Sequence, residues 1–196
     1  MDWQALALSV QLATATLLVL LPAGLMAARW LARSRSRAKP WLEALVMLPL
    51  VLPPTVLGYY LLVALGAQSP LGRWAQDTLG LSLSFNFLGL LLASVVFNIP
   101  FMLQPMQRGF EAIPHKLIEA ATVNGLSAWA TFWRVELPLA WPGVLSAGVL
   151  TFVHTLGEFG VVLMIGGSIP GETRTLAISI YDSVQRFDLN AANTMS

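Results

Sequence analysis

Cysteine is absent from this 196-residue sequence and charge is scarce, with Asp, Glu, Lys and Arg at 11%, against about 25% in soluble globular domains. The first absence excludes a disulfide framework, a thiolate metal site and a cysteine nucleophile. The only histidines, His115 and His154, form no His-Glu-x-x-His zinc motif, and no Gly-x-x-x-x-Gly-Lys-[Ser/Thr] phosphate loop occurs. The chain is therefore expected to hold no cofactor or metal and to be no catalyst by itself. A net charge of +1 lacks the electrostatic footprint of a nucleic-acid binder.

The missing charge is missing in blocks. None lies between Asp2 and Arg29, Glu43 and Arg73, Asp77 and Arg108, or Glu136 and Glu158, which leaves runs of 26, 29, 30 and 21 residues. About 20 mostly apolar residues in a helix cross ~30 Å of hydrocarbon, so every run is long enough to span. The sequence reads as an all-α polytopic membrane bundle in a single domain, with spans near 5–26, 41–66, 85–106 and 141–165. The first run has no positive segment before it and exceeds the length of a signal-peptide core, so it reads as a retained span.

The bounding charges give the orientation. Arg29, Arg33, Arg35, Arg37 and Lys39 hold five of the eleven Lys and Arg, which places 27–40 in the cytoplasm and the N-terminus outside. Segment 107–138, with Arg108, Lys116 and Arg134, is cytoplasmic again, and 67–83, with Arg73 alone, is external. Segment 166–196 begins outside. Its apolar stretch 176–184 is too short to cross and reads as a re-entrant or interfacial piece. No basic tail follows, so a final span is expected beyond Ser196.

Interior prolines interrupt two spans: Pro49, Pro53 and Pro54 beside Gly58 in the second, Pro100 in the third. Each removes a backbone donor, and non-helical backbone at membrane depth is tolerated only against protein or a wet cavity. A single proline reads as a packing kink; the cluster of three reads as part of a pathway. In the cytoplasmic segment, Pro114 suits a first helical turn, Gly125 after Asn124 suits a stop, and Ser127 suits the cap of a second helix over 128–136, ended by Leu137 and Pro138. Leu117, Ile118, Val123, Leu126, Trp129, Phe132 and Trp133 are more apolar surface than solvent favours, so this pair docks on its own bundle or on a partner.

These residues carry a family resemblance. Glu119, Ala120 and Ala121, three residues, Gly125, nine residues, Val135, one residue, then Leu137 and Pro138 resemble the EAA loop of bacterial ABC importer permeases, with Val135 in place of the usual Ile. The resemblance implies a type I importer transmembrane fold and a coupling helix that docks on an ATPase subunit. It also implies a homodimer, two ATP-binding cassette subunits holding ATP and Mg, an external substrate-binding protein, and a bacterial cytoplasmic membrane with its lipid. Leu48 to Gly58, together with Leu156-Gly157-Glu158-Phe159-Gly160 and Ile169-Pro170-Gly171-Glu172-Thr173-Arg174-Thr175, is similar to the molybdate permease subunits. That implies inward molybdate transport by alternating access, with sulfate, thiosulfate or tungstate as rival cargoes and a non-transporting scaffold as a more distant reading. His154 departs from the arginine such oxyanion permeases usually carry four residues before the Glu.

His154 and Glu158 are one helical turn apart and share a face; ionisable groups at this depth are costly and turn inward. They read either as wall or gate of a pathway, or with Glu158 as a cap or interhelical partner at the outer end. Bare carboxylates repel an anionic cargo, so Glu158 is not a ligand for it. Pro53, Pro54, Thr55, Gly58, Asn98, Thr151 and Thr155 complete the candidate pathway, and each hydroxyl or amide equally suits an interhelical hydrogen bond. Thr173, Arg174 and Thr175 are candidates for external contact.

Overall fold

The computed structural model describes residues 2–195, and all its regular elements are helices. In chain order they are α1 (Trp3–Arg33), α2 (Lys39–Val51), α3 (Pro54–Leu65), α4 (Pro70–Leu79), α5 (Phe87–Glu111), α6 (His115–Val123), α7 (Ala128–Thr131), a π-helical turn (Phe132–Glu136), α8 (Leu137–Gly157), α9 (Gly160–Gly166), α10 (Leu176–Gln185) and α11 (Leu189–Met195). Three helices, Trp3–Arg33, Phe87–Glu111 and Ala128–Gly157, are long and apolar enough to cross a membrane. A fourth crossing exists only if α2 and α3 count as one broken span.

That break is the main departure from the expected second span. The two helices meet at 105°, because Pro53 forces Leu52 out of the helical region (ψ 138°) and is itself extended at ψ 136°. Pro54 then starts α3 at a position that needs no donor. Pro100, by contrast, lies inside an unbroken α5, as does Pro105, so the expected strain there produces no break.

The fourth span also differs at both ends. The helix capped by Ser127 does not stop at Leu137 and Pro138 but runs on into α8 through the π turn, where Leu137 N–H donates to Phe132 O. The wider turn accommodates the ring of Pro138, which in a regular α-helix clashes with the carbonyl four residues back. At the far end the helix stops at Gly157. Glu158 is extended (ψ 124°), and its carboxylate, instead of the backbone, receives the Val161 amide at 3.2 Å. The expected external loop 67–83 holds the amphipathic α4, capped by Ser69 at the Gly72 amide, 2.7 Å.

The core lies where α5 packs between α1 and α8. The α5–α8 crossing depends on small residues: a Cβ on Gly143 would stand 2.6 Å from Pro105 O and 3.0 Å from the Gly109 Cα, so nothing larger fits without parting the helices. A second cluster joins α3, α5 and α9 through Leu57, Leu90, Phe97, Val161 and Ile165. Helix α10 folds back on the start of α1: Leu176 N–H donates to Ser9 Oγ at 2.8 Å, and Ser179 Oγ donates to Asp2 at 3.1 Å. Asp2 also caps α1 by accepting the Ala5 amide at 3.0 Å, which holds its carboxyl below the ordinary value.

Candidate functional site

At the basic end of the bundle, α6 closes in a Schellman turn. Leu126 N–H donates to Ala121 O (3.1 Å) and Gly125 N–H to Thr122 O (2.9 Å), with Gly125 at φ +80°. That left-handed conformation costs a side-chain-bearing residue about 1–2 kcal/mol, which is why a glycine serves here. Ser127 Oγ then accepts the Ala130 amide at 3.2 Å and starts the next helix. Glu119 and Ala120 face outward while Ala121 is buried, so the Glu-Ala-Ala triplet presents its first two residues and packs its third. Glu119 lies 3.4 Å from His115 Nδ1. Around them Val123 is 87% and Trp129 70% exposed, with Leu117 and Trp133 also open.

The rest of the expected coupling motif lies elsewhere. Val135, Leu137 and Pro138 sit on the π turn and the start of α8, part of the long membrane helix rather than of a loop. Between them Glu136, 2% exposed, accepts Arg29 Nε at 2.7 Å and Nη2 at 2.9 Å. The Arg29 guanidinium also lies over the Phe132 ring, 5.3 Å from its centroid. Phe132 in turn stacks near Phe110 and Trp129. This clamp ties the end of α1 to the junction of the exposed segment with α8. Sequence reasoning missed it; the available signal was that Arg29 and Glu136 each bound a charge-free run, at the same side of the membrane.

At membrane depth a polar chain crosses the core. Thr16 Oγ1 donates to Ser94 Oγ (3.0 Å), Asn98 Nδ2 donates to Ser94 O (2.8 Å), and His154 Nδ1–H donates to Asn98 Oδ1 (3.0 Å). With its amide hydrogens committed to Ser94, Asn98 offers His154 an acceptor. The imidazole stacks on Phe101 at 3.8 Å and lies 5.0 Å from Phe97. Next to it is a cavity of about 380 Å³ walled by Pro54, Thr55, Phe97, His154, Gly157 and Glu158 among others.

The structure thus brings Pro54, Thr55, His154 and Glu158 together, with Asn98 behind His154. Thr151 and Thr155 are buried on α8, where Thr155 Oγ1 donates to Thr151 O at 2.7 Å. Two candidates take other places. Pro53 forms the elbow, and Gly58 is a packing site, since a Cβ there would lie 2.8 Å from the Met164 Cβ and 3.1 Å from the Val161 Cα. Glu158 Oε1 caps α9 at Val161, while Oε2 is buried with no hydrogen-bond partner among the described residues. Thr16, Ser94, Phe97 and Phe101 were missed, because hydroxyls and rings scattered in apolar runs carry no spacing signal.

The external candidates are turned inward. Thr173 is buried, its hydroxyl donating to Gly166 O at 2.7 Å and accepting the Ile169 amide at 3.1 Å. Arg174 donates to Ser168 Oγ at 3.0 Å and lies 3.6 Å from Asp182. Thr175 is buried at the start of α10. These side chains hold the 166–176 loop, with Arg174 still partly exposed.

Long apolar helices, an apolar helix pair bent at prolines, a cavity beside His154 and Glu158 and an apolar helix left open at the basic end suit a membrane transport subunit. Comparison with known proteins gives the particular group. Residues 21–194 match the family described as "Binding-protein-dependent transport system inner membrane component". Over 196 residues the chain is 49% identical to the molybdenum transport system permease protein ModB of Azotobacter vinelandii, covering all of this chain and 86% of that protein. It is 37% identical to ModB of Escherichia coli K12 over 94% of this chain and 80% of that one. A probable sulfate transport system permease of Chlorella vulgaris is 32% identical, over 96% and 70%. A crystal structure of a bacterial ABC transporter involved in alginate import superposes with a TM-score of 0.79 at 16% identity, over 98% of this chain and 71% of that one; this likeness concerns the fold alone. The chain belongs to the binding-protein-dependent inner membrane components, the permease subunits of ABC importers.

Proposed function

We propose that the chain carries molybdate inward across the cytoplasmic membrane by alternating access, as a homodimer driven by two ATP-binding cassette subunits and fed by an external binding protein. The observation that carries this reading is the exposed α6, closed at the Gly125 turn and followed by the Ser127-capped helix that runs through the Glu136 junction to His154, with Glu158 just beyond its end. A partner that grips Glu119, Ala120 and Val123 therefore pulls, through the Gly125 turn, on the long helix that reaches the cavity beside His154. Identity to molybdenum permeases over the full chain supports the cargo. The open side of the cavity, with Thr55 exposed, suits a wall supplied by a second copy. Weak walls of threonine, histidine and proline suit a cargo that must be released rather than held, and ATP with Mg belongs to the partner subunits.

The test is reconstitution with the ATPase and binding protein in vesicles and ATP-dependent uptake of labelled molybdate. Gly125→Asp is expected to abolish both ATPase co-purification and uptake; retention of both overturns the coupling assignment. Excess tungstate should compete and excess sulfate should not. The sulfate permease relative gives the second reading, and equal competition by sulfate would decide for it.

A further inference from the structure

We propose that the basic end of α1 carries a seat for the phosphate of an anionic lipid headgroup, built on Arg33. The placement in the inner leaflet rests on the orientation used above.

Arg29 and Arg33 are one turn apart on α1 and both face Glu136. Arg29 takes both carboxylate oxygens, at 2.7 and 2.9 Å, and leaves Arg33 Nε at 4.0 Å, beyond hydrogen-bond reach. Arg33 Nε and Nη2 are shut from solvent and have no hydrogen-bond partner among the described residues. Two guanidiniums thus share one carboxylate, and the second is left with donors unused, a costly state in a partly desolvated place. With 24% of its side chain exposed, Arg33 lines a cavity of about 710 Å³ between α1 and α7, and a phosphate entering there gains the two buried donors as the guanidinium turns toward it.

The lining says which anion. Beside Arg33 and Ser34 the walls are Met26, Trp30, Trp129 and Phe132. A small hydrated anion would leave those surfaces bare. A phospholipid places its phosphate on the guanidinium fork, which matches phosphate geometry, and its glycerol and first acyl carbons on Met26 and the rings. Trp30 and Trp129 are exposed, the disposition of indoles at a membrane–water boundary. Arg35, Arg37 and Lys39 follow directly and add the positive potential that draws anionic lipid to such pockets.

The chain is purified in detergent, equilibrated with equal phosphatidylglycerol and phosphatidylcholine, and the lipid retained per chain is measured by native mass spectrometry. The wild type is expected to retain phosphatidylglycerol preferentially. Arg33→Gln should lower that retention about fivefold, Arg33→Lys should keep most of it, and Arg73→Gln, on α4 and outside the cavity walls, should leave it unchanged. Equal retention by wild type and Arg33→Gln overturns the seat. Displacement of the lipid by excess inorganic phosphate also overturns it, making the pocket a soluble-anion site. The readout needs neither cargo nor ATPase, so failure here leaves the transport reading standing, and loss of transport leaves the lipid result standing.

Discussion

The Arg29–Glu136 clamp can be tested by a double-mutant cycle. Glu136→Gln removes the charge while keeping the shape, and Arg29→Gln removes the other partner. Breaking a buried ion pair by deleting one member costs about 3–5 kcal/mol. Two features reduce that figure. Arg29 keeps 34% of its side chain exposed against 2% for Glu136, so solvent recovers part of its charge, and the Gln amide still offers one acceptor. About 2 kcal/mol remains for Glu136→Gln, equivalent to a fall in Tm of about 4–8 °C for a chain of this size. Arg33, at 4.0 Å, is the nearest replacement for Arg29, so Arg29→Gln should cost less than Glu136→Gln, which leaves two guanidiniums without their carboxylate. The double variant should recover about 1.5 kcal/mol relative to the sum of the singles. Thermal unfolding of the detergent-solubilised chain, read by tryptophan fluorescence, measures all four species. Additive singles, or Glu136→Gln within about 1 °C of wild type, would refute the clamp as an energetic link between α1 and the α8 junction.

Other outcomes follow from the same geometry. Gly143→Val, which places carbon where Pro105 O and Gly109 stand 2.6–3.0 Å from the Cβ position, should cost about 3 kcal/mol and split the monodisperse peak on size-exclusion chromatography. Glu158→Gln keeps an oxygen for the Val161 amide and should leave stability, read by Tm, within about 0.5 kcal/mol of wild type, whereas Glu158→Ala should lose about 1 kcal/mol with the cap. Wild-type uptake by Glu158→Gln would show that the carboxylate is a cap and nothing more. Asp2 has its carboxyl held below 3.8 by the Ala5 amide; a depressed folded-state value means that its stabilisation is present above 3.8 and lost as pH falls through the folded-state value. The Tm gap between wild type and Asp2→Asn should therefore be constant near neutrality and narrow as pH falls below 3.8; a gap that widens there refutes the cap.

What could be read from sequence was what neighbouring residues decide. Runs without charge gave the long helices, Gly125 and Ser127 gave the turn and cap after α6, and the Glu-Ala-Ala spacing gave the family. What could not be read depends on partners far along the chain. Glu136 looked like one more boundary charge, because its value as a clamp depends on Arg29, 107 residues earlier. Pro100 and Pro53 are the same residue type in similar apolar runs. Only the second breaks its span, because Pro54 follows it and the two together remove consecutive donors and fix the residue before them. Thr173 and Arg174 looked like loop residues free for contact until Gly166, Ser168 and Asp182 were found around them.

These long-range contacts give the proposed transport cycle a mechanical basis. Glu136 and His154 lie on one continuous helix 18 residues apart, about 27 Å at 1.5 Å per residue, so a motion imposed at the clamp reaches the cavity with little loss. The π turn at Phe132–Glu136 is the one non-α segment of that helix, and π-bulges are among the places where helices kink. Its hinge is held by Glu136 and Phe132, the two residues that Arg29 touches. α1, also tied to α5 through Thr16 and Ser94, thus resists movement of α8 at the basic end and near the polar chain alike. In the proposed cycle, closure of two ATPase subunits on α6 would have to overcome the clamp before His154 leaves Asn98. Weakening the clamp without unfolding the bundle should therefore raise ATPase activity in the absence of cargo, and an unchanged basal rate in Glu136→Gln would place the control of coupling elsewhere.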